Sequence, residues 1–168
     1  MVKKIDTKYI DKIAREVSKN NSISYDDLPK YDLFLSQVID FLNDKFMEVL
    51  KTEPKVCNHL HIPLQAGSDK IIKRMNRKYT IEQIEDCVNL LRKNIENVVL
   101  TTDIIVGFPG ETEKEFETTY NFLEKIKLTR MHVFKYSPRE GTRAASMPNQ
   151  IDGIIKEQRS QKIIKLSN

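Results

Sequence analysis

The sequence predicts an α/β fold in which about three parallel strands form part of a barrel and follow an all-helical N-terminal segment. Short apolar segments near residues 61–64, 98–106 and 131–136 are separated by helical patterns, which gives the order β-α-α-β-α-β-α. Strands that alternate with helices imply a parallel sheet with crossover connections. A complete eight-stranded barrel needs about 250 residues, so the 168 residues of this chain allow only part of one.

Residues 1–45 are predicted to form a helical unit, and residues 46–168 to form the partial barrel. Apolar side chains recur at helical spacing up to Val17 and again between Tyr31 and Leu42. No strand pattern appears before Lys55. The boundary between the two parts is therefore placed between residues 45 and 46.

The first predicted strand is His61–Leu64, where Pro63 is tolerated because it lies near the strand's end. Ser68 is predicted to cap the short helix that follows. Thr80 and Gln83 have the spacing of a capping box, which predicts the start of a longer helix.

The second strand is predicted from Val98–Leu100 together with Ile104–Val106, and a further capping box at Thr112 begins the next helix. Apolar and polar residues alternate in Met131–Tyr136, which predicts the third strand. After a loop, the last helix carries a series of isoleucines: Ile151, Ile154, Ile155, Ile163 and Ile164.

The composition is that of a soluble globular protein, with 39% hydrophobic and 31% charged residues. No apolar run is long enough to span a membrane, and the N-terminus has no apolar core behind its lysines, so no membrane partner and a cytoplasmic location are expected. The net charge is +4. This mild excess is compatible with RNA contact, but a solvated surface of mixed charge is the preferred interpretation.

The two cysteines, Cys57 and Cys87, match no metal or disulfide spacing. Cys87 lies in a helical apolar pattern and is interpreted as a small core residue. In a strand, Cys57, His59 and His61 would share one face. Three ligands without a nearby carboxylate are a weak metal signal, so histidines packed at a strand end are preferred.

Polar residues follow the strands at the edge where α/β folds bind ligands. Gln65 and Ser68 suit a ribose or an amino acid carboxylate, although a backbone bond and a helix cap would explain them equally well. Asp103 lies in an apolar strand, where a carboxylate needs either a cationic partner or a polar face that lines a site. Both alternatives remain open from the sequence.

Two loops at the same edge contain candidate binding residues. Glycines in Gly107-Phe-Pro-Gly110 let the backbone approach a ligand, and Glu111 would accept a hydrogen bond or serve the helix dipole. The turn lacks the pattern of a phosphate-binding or dinucleotide loop. Arg139 and Arg143 would suit phosphate, although loop arginines are more often solvated.

Taken together, the runs His59–Ser68, Thr101–Glu111 and Val133–Ala144 resemble the radical S-adenosylmethionine (SAM) tRNA methylthiotransferases, most closely the MtaB type. The resemblance covers about the last 120 residues and implies the second half of the family's radical SAM barrel, with its fourth to sixth strands. Ala66 departs from the family, which usually has Ser there. Residues 23–46 weakly resemble an uncharacterised bacterial helical family.

The resemblance implies a [4Fe–4S] cluster that splits SAM into a radical, and tRNA as the partner, with methylthiolation of a modified adenosine beside the anticodon. It places Gln65 and Ser68 near the ribose and methionine of SAM. The remaining cofactor-binding residues that it implies are Asp103, Val106, Gly107, Pro109, Phe134, Tyr136 and Arg139.

The Cys-x-x-x-Cys-x-x-Cys motif of the family is absent from the 168 residues, so the chain provides no ligand set for the radical-generating cluster. The expectation is a truncated, methylthiotransferase-like protein that is inactive alone. A second chain, or self-association, would cover the open sheet edges. The alternative is a non-catalytic helical interaction or regulatory module fused to a barrel remnant.

Overall fold

The computed structural model describes residues 47–48, 51–52 and 57–167, so the predicted helical unit 1–45 lies outside the described residues. No described helix is long and apolar enough to cross a membrane. In chain order, the elements are β1 (His59–His61), α1 (Asp69–Arg74), α2 (Ile81–Asn94), β2 (Val99–Val106), α3 (Glu113–Ile126), β3 (Arg130–Lys135), a 3₁₀ helix (Arg143–Ser146) and α4 (Gly153–Ser167).

The three strands form one parallel sheet in the order β1-β2-β3. Leu60 pairs with Leu100 across the first strand pair, and Ile104 pairs with Val133 across the second. The predicted α/β architecture with three parallel strands is confirmed. β2 runs continuously through the Thr-Thr-Asp segment that separates its two apolar parts in the sequence.

β1 ends earlier than the sequence predicts, at His61 instead of Leu64. The reason is Pro63, which has no N–H to continue the ladder. The Ile62 N–H still donates to the Thr101 carbonyl at 2.8 Å, and pairing with β2 resumes at Gln65 through a single bridge to Ile104. Between these points the Thr102 hydroxyl takes the place of the ladder, donating to the Ile62 carbonyl at 2.6 Å.

The two faces of β2 differ sharply. Leu100, Ile104 and Val106 are buried in the hydrophobic core, whereas the alternate residues Asp103 and Ile105 are partly exposed. This alternation follows from the period of two along a strand. One sheet face therefore carries the core, and the other face is open in the described part of the chain.

Both predicted capping boxes are confirmed. The Thr80 hydroxyl accepts from the Gln83 N–H at the start of α2, and Thr112 and Glu115 form the same reciprocal pair at the start of α3. The prediction for Ser68 is wrong in one respect. Ser68 is the N-cap residue of α1, but its side chain makes no capping bond, and its backbone carbonyl alone accepts from Ile71 and Ile72.

The buried face of α4 is not formed by all of its isoleucines. Ile154 is 70% exposed and Ile155 is 40% exposed, whereas Arg159, Ser160 and Ile163 are buried. A buried arginine requires a charged or hydrogen-bonding partner. Its partners lie after the turn that follows β2 and at the start of α3.

Candidate cofactor-binding site

The open face of the sheet carries all three histidines of the chain. His59 Nε2 and His61 Nδ1 each lie 3.0 Å from Thr101 Oγ1, and the His61 and His132 rings are 6.3 Å apart. The predicted shared face of His59 and His61 is confirmed. His132 joins them because it pairs in register with Asp103 on the neighbouring strand.

Asp103 lies at the centre of this open face. Its side chain is 33% exposed, and its carboxylate lies 3.3 Å from His61 Nε2. The described residues provide no Lys or Arg partner for it, so the structure favours the second alternative, a polar face that can line a site. Phe134, paired in register with the adjacent Ile105, presents a ring that is 52% exposed on the same face.

Gln65 and Ser68 lie beyond the carboxyl end of β1, and both are buried. Gln65 adopts a left-handed conformation with φ 65°, which is unusual for a residue other than glycine. Its N–H donates to the Asp103 carbonyl and its carbonyl accepts from the Ile105 N–H, both at 2.8 Å. Gln65 and Asp103 are therefore held side by side by backbone bonds.

The turn Gly107–Gly110 follows β2 and is fixed by a buried ion pair. Arg159 Nη1 lies 2.8 Å from Glu111 Oε2, and the same oxygen accepts from the Gly107 N–H at 2.7 Å. A second nitrogen, Arg159 Nη2, lies 3.0 Å from Glu113 Oε2. The sequence predicts that Glu111 lies at the start of a helix, but it does not indicate that the ionic partner of Glu111 belongs to α4.

Burial raises the pKa of the Glu111 carboxyl, while the Gly107 N–H and the Arg159 charge act in the opposite direction. Glu111 is 1% exposed, and its second oxygen, Oε1, is buried without a hydrogen-bond partner among the described residues, as is Arg159 Nε. The pair therefore stabilises the turn at a considerable desolvation cost.

The other predicted residues fall into two groups. Pro109 and Tyr136 belong to the turn region: the Pro109 carbonyl accepts from Arg74, and the Tyr136 ring packs edge-to-face on Phe108 at 5.2 Å. Val106 has its side chain fully buried in the core, so it would reach a ligand only through its backbone. Arg139 lies in the exposed loop after β3, where its carbonyl accepts from Thr142.

The structure thus brings Asp103 and Phe134 together on the open face, with Gln65 adjacent, and groups Gly107, Pro109 and Tyr136 around the turn. The site predicted from the sequence includes neither the contacts of His61 with Thr101 and Asp103 nor the ion pairs of Arg159. The period of two along β2 would have indicated the His61 contacts, since Thr101 and Asp103 share a face.

The two cysteines lie in unrelated places: Cys57 is exposed and Cys87 is buried in α2. No group of three or more His, Cys, Asp or Glu side chains that could hold a metal occurs among the described residues. A cluster held by three thiolates does not fit a chain with two cysteines. The disfavoured metal interpretation of Cys57, His59 and His61 gains no support.

The cysteines should differ in reactivity and in their effect on stability. Burial raises the pKa of the Cys87 thiol from 9.0 to about 11. Because the unfolded thiol ionises first, the free energy of unfolding should fall as pH rises from 9 to 11, by about 2–3 kcal/mol at most. A disulfide reagent at pH 8 should modify one thiol, at Cys57, in the folded chain. Rapid modification of both thiols, or a Cys87→Ala variant with an unchanged pH dependence, would contradict this.

The profile of the Radical SAM superfamily matches residues 6–123 of this sequence. The chain belongs to the radical SAM superfamily. The match includes most of segment 1–45, which is predicted from its sequence to be a separate helical unit. The domain boundary between residues 45 and 46 stays a prediction. The resemblance to methylthiotransferases and the partial-barrel fold class are both confirmed.

Three curated relatives of this radical SAM chain are methylthiotransferases by name. Threonylcarbamoyladenosine tRNA methylthiotransferase MtaB of Bacillus subtilis (strain 168) is 49% identical over 127 residues, which is 76% of this chain and 28% of the relative. A probable threonylcarbamoyladenosine tRNA methylthiotransferase of Methanocaldococcus jannaschii is 41% identical over 156 residues, 93% of this chain and 36% of the relative. The ribosomal protein uS12 methylthiotransferase RimO of Geobacter sulfurreducens is 46% identical over 126 residues, 75% of this chain and 28% of the relative.

The fold of this radical SAM chain also resembles a solved structure. Coproporphyrinogen III oxidase (HemN) from Escherichia coli, a radical SAM enzyme, matches with a TM-score of 0.58 at 19% identity. The match covers 76% of this chain and 29% of that structure. The chain thus spans between about a quarter and a third of the length of the proteins it matches.

Proposed function

We propose that the carboxyl edge of this sheet holds S-adenosylmethionine for a methylthiotransferase reaction on a modified adenosine beside the tRNA anticodon. The observation that carries the proposal is the open face, where the Asp103 carboxylate and the exposed Phe134 ring lie on neighbouring strands of a methylthiotransferase-like sequence. Ligands bind at this end of parallel strands. The cytoplasmic location stays a prediction.

The residues present fit S-adenosylmethionine chemically. A partly exposed carboxylate accepts hydrogen bonds from ribose hydroxyls, and an exposed aromatic ring packs on adenine. In this arrangement Asp103 binds the adenosine together with Phe134, and Gln65 and Ser68 lie near the ribose and methionine. Backbone groups of Val106, Gly107 and Pro109 lie beneath the adenosine. Tyr136 and Arg139 complete the far side of the site.

When bound, S-adenosylmethionine supplies the methyl group and the radical chemistry of the superfamily. The role of this chain is to bind and orient it, and the ion pair of Glu111 and Arg159 supports that role by fixing the turn that begins at Gly107. Because Cys57 and Cys87 are the chain's two cysteines, we propose that cluster thiolates come from outside these 168 residues and that the chain alone is inactive. The rival helical-module function concerns residues 1–45, which lie outside the described residues, and stays a prediction.

The proposal predicts that Asp103→Asn weakens S-adenosylmethionine binding by about 10-fold or more, because hydrogen bonds to a charged group contribute about 1.5–3 kcal/mol. Isothermal titration calorimetry of the purified 168-residue chain measures this directly. Asp86→Asn is the matched control, since Asp86 is an exposed carboxylate on α2.

Equal binding by wild type, Asp103→Asn and Asp86→Asn would overturn the assignment of Asp103. Thermal unfolding of each variant distinguishes lost binding from lost folding. If Asp103→Asn does not fold, Phe134→Ala provides the second test, because Phe134 is largely exposed and its replacement leaves the core intact.

A further inference from the structure

A basic segment, Lys70–Lys78, spans α1 and the loop that leads to α2. Its nine residues contain no acidic side chain and five basic ones: Lys70, Lys73, Arg74, Arg77 and Lys78. The whole chain has 28 Lys and Arg against 24 Asp and Glu, so the residues outside this segment carry 23 basic and 24 acidic side chains. The positive excess of the protein is thus concentrated in this segment.

Two neighbouring carboxylates, Asp69 and Glu115, offset only part of the five positive charges of the segment. Asp69 Oδ1 accepts from the Ile81 N–H at 2.8 Å and so caps the next helix. The pKa of the Glu115 carboxyl is lowered chiefly by its hydrogen bond from the Thr112 side chain, with smaller contributions from Arg74 and Lys70. Lys70, Lys73 and Lys78 are exposed and form no ion pair within the part of the chain that the structure describes.

The segment is fixed against the carboxyl edge of the sheet. The buried Tyr79 hydroxyl donates to the Leu64 carbonyl at 2.9 Å, just beyond β1. Arg74 Nη1 donates to the Gly110 carbonyl at 2.6 Å, in the turn after β2. Since substrates enter parallel barrels at this edge, a large substrate that reaches the proposed cofactor site would pass the lysines.

We propose that Lys70, Lys73 and Lys78 bind the phosphate backbone of the RNA substrate at the entrance to the cofactor site. Lysine is a compact point charge, which suits phosphate contacts that position a nucleic acid without reading its bases. The inference rests on the proposed function for two assumptions: that the substrate is RNA and that this edge faces it. It predicts binding that depends strongly on salt and weakly on sequence.

The test is fluorescence anisotropy of a labelled anticodon stem-loop RNA with the full chain between 50 and 200 mM salt. The triple variant Lys70→Gln, Lys73→Gln, Lys78→Gln should bind roughly 10- to 100-fold more weakly, and the slope of log K against log salt should shrink by about 2–3, because each phosphate contact contributes about 0.7–0.9. The matched control, Lys93→Gln, Lys127→Gln, Lys165→Gln, removes the same charge from exposed positions away from this edge and should bind like wild type.

Equal losses in the two triple variants, no loss in either, or no RNA binding by wild type would overturn the inference. Equally strong competition by polyglutamate would instead indicate an acidic protein partner. Lysine acetylation footprinting of the wild-type complex tests the same lysines without any variant, and unprotected Lys70, Lys73 and Lys78 would also contradict it. Titration of the lysine variant with S-adenosylmethionine should give wild-type affinity, which separates this inference from the cofactor assignment.

Discussion

Replacement of Arg159 by methionine is expected to lower the free energy of unfolding by about 3–5 kcal/mol, because it leaves Glu111 buried without its cation. Glu111 is 1% exposed and Arg159 is 7% exposed at the side chain, so water cannot compensate for the lost partner. Methionine keeps much of the side-chain volume, which limits any cavity contribution. Urea denaturation of wild type and variant measures the difference.

Two further variants isolate the cause. Glu113→Gln removes the outer ion pair of Arg159. Because the Glu113 side chain is 58% exposed, this variant should lower the free energy of unfolding by at most about 1 kcal/mol. Adding Glu111→Gln to the Arg159→Met variant should recover part of the loss, since it removes the uncompensated charge. A loss below 1 kcal/mol in Arg159→Met would contradict the assigned role of the pair.

The same variant should show a characteristic pH dependence. Burial already raises the pKa of Glu111 in the folded protein, and removal of Arg159 takes away an opposing charge, so this pKa should rise further. A carboxyl whose pKa is higher in the folded state than in the unfolded state destabilises the protein at pH values above the folded pKa. This destabilisation decreases as the pH falls toward the unfolded pKa. The stability deficit of Arg159→Met should therefore shrink on acidification from neutral pH toward the ordinary glutamate pKa of 4.5.

Gly67→Ala is expected to have the second largest effect, about 1–3 kcal/mol of lost stability, because the new methyl group would overpack a rigid contact. A Cβ on Gly67 would lie 2.9 Å from the Thr119 Cα and 3.1 Å from its carbonyl oxygen, both backbone atoms of α3. The Gly67 N–H also donates to Thr119 Oγ1 at 3.1 Å, a bond that any displacement of the helix would break.

Gly153→Ala is the matched control for this substitution. A Cβ there meets no atom within 4 Å, and the residue begins α4, where alanine is the better helix former. Its stability should stay the same or rise by up to about 1 kcal/mol. Thermal or urea unfolding of the two variants gives the comparison, and an equal effect of both substitutions would show that close packing at Gly67 is not the cause.

The sequence predicts well the features that local chemistry determines. The capping boxes at Thr80 and Thr112 and the third strand, predicted from the alternation along Met131–Tyr136, each depend on residues a few positions apart, and all three appear in the structure. Pro63 is a local signal for the end of β1, but the Thr102 hydroxyl that bonds the Ile62 carbonyl beyond this end belongs to a different strand.

The site was predicted less completely, because its key partners are distant in sequence. Arg159 lies 48 residues from Glu111, and nothing in an isoleucine-rich helix indicates that a cation is buried there. Asp103 pairs with His61, 42 positions earlier, and only the register of two parallel strands brings them together. The charge of Lys70–Lys78 is visible in the sequence, but its position beside Gly110 follows from the fold.

The irregular segment after β1 also controls which side of the sheet another strand can join. Pro63 has no N–H, and the N–H groups of Ile62, Leu64, Gln65 and Ala66 all donate to acceptors inside the described fold. An incoming strand would therefore find no donor along residues 62–66, so the edge of β1 that can pair is limited to His59–His61. The outer edge of β3 is longer, from Arg130 to Lys135, although its Met131 N–H already donates to Ser167 Oγ at 3.0 Å. Growth of the sheet is thus favoured at β3, and the charges at the two ends of this strand disfavour unwanted pairing between copies of that edge.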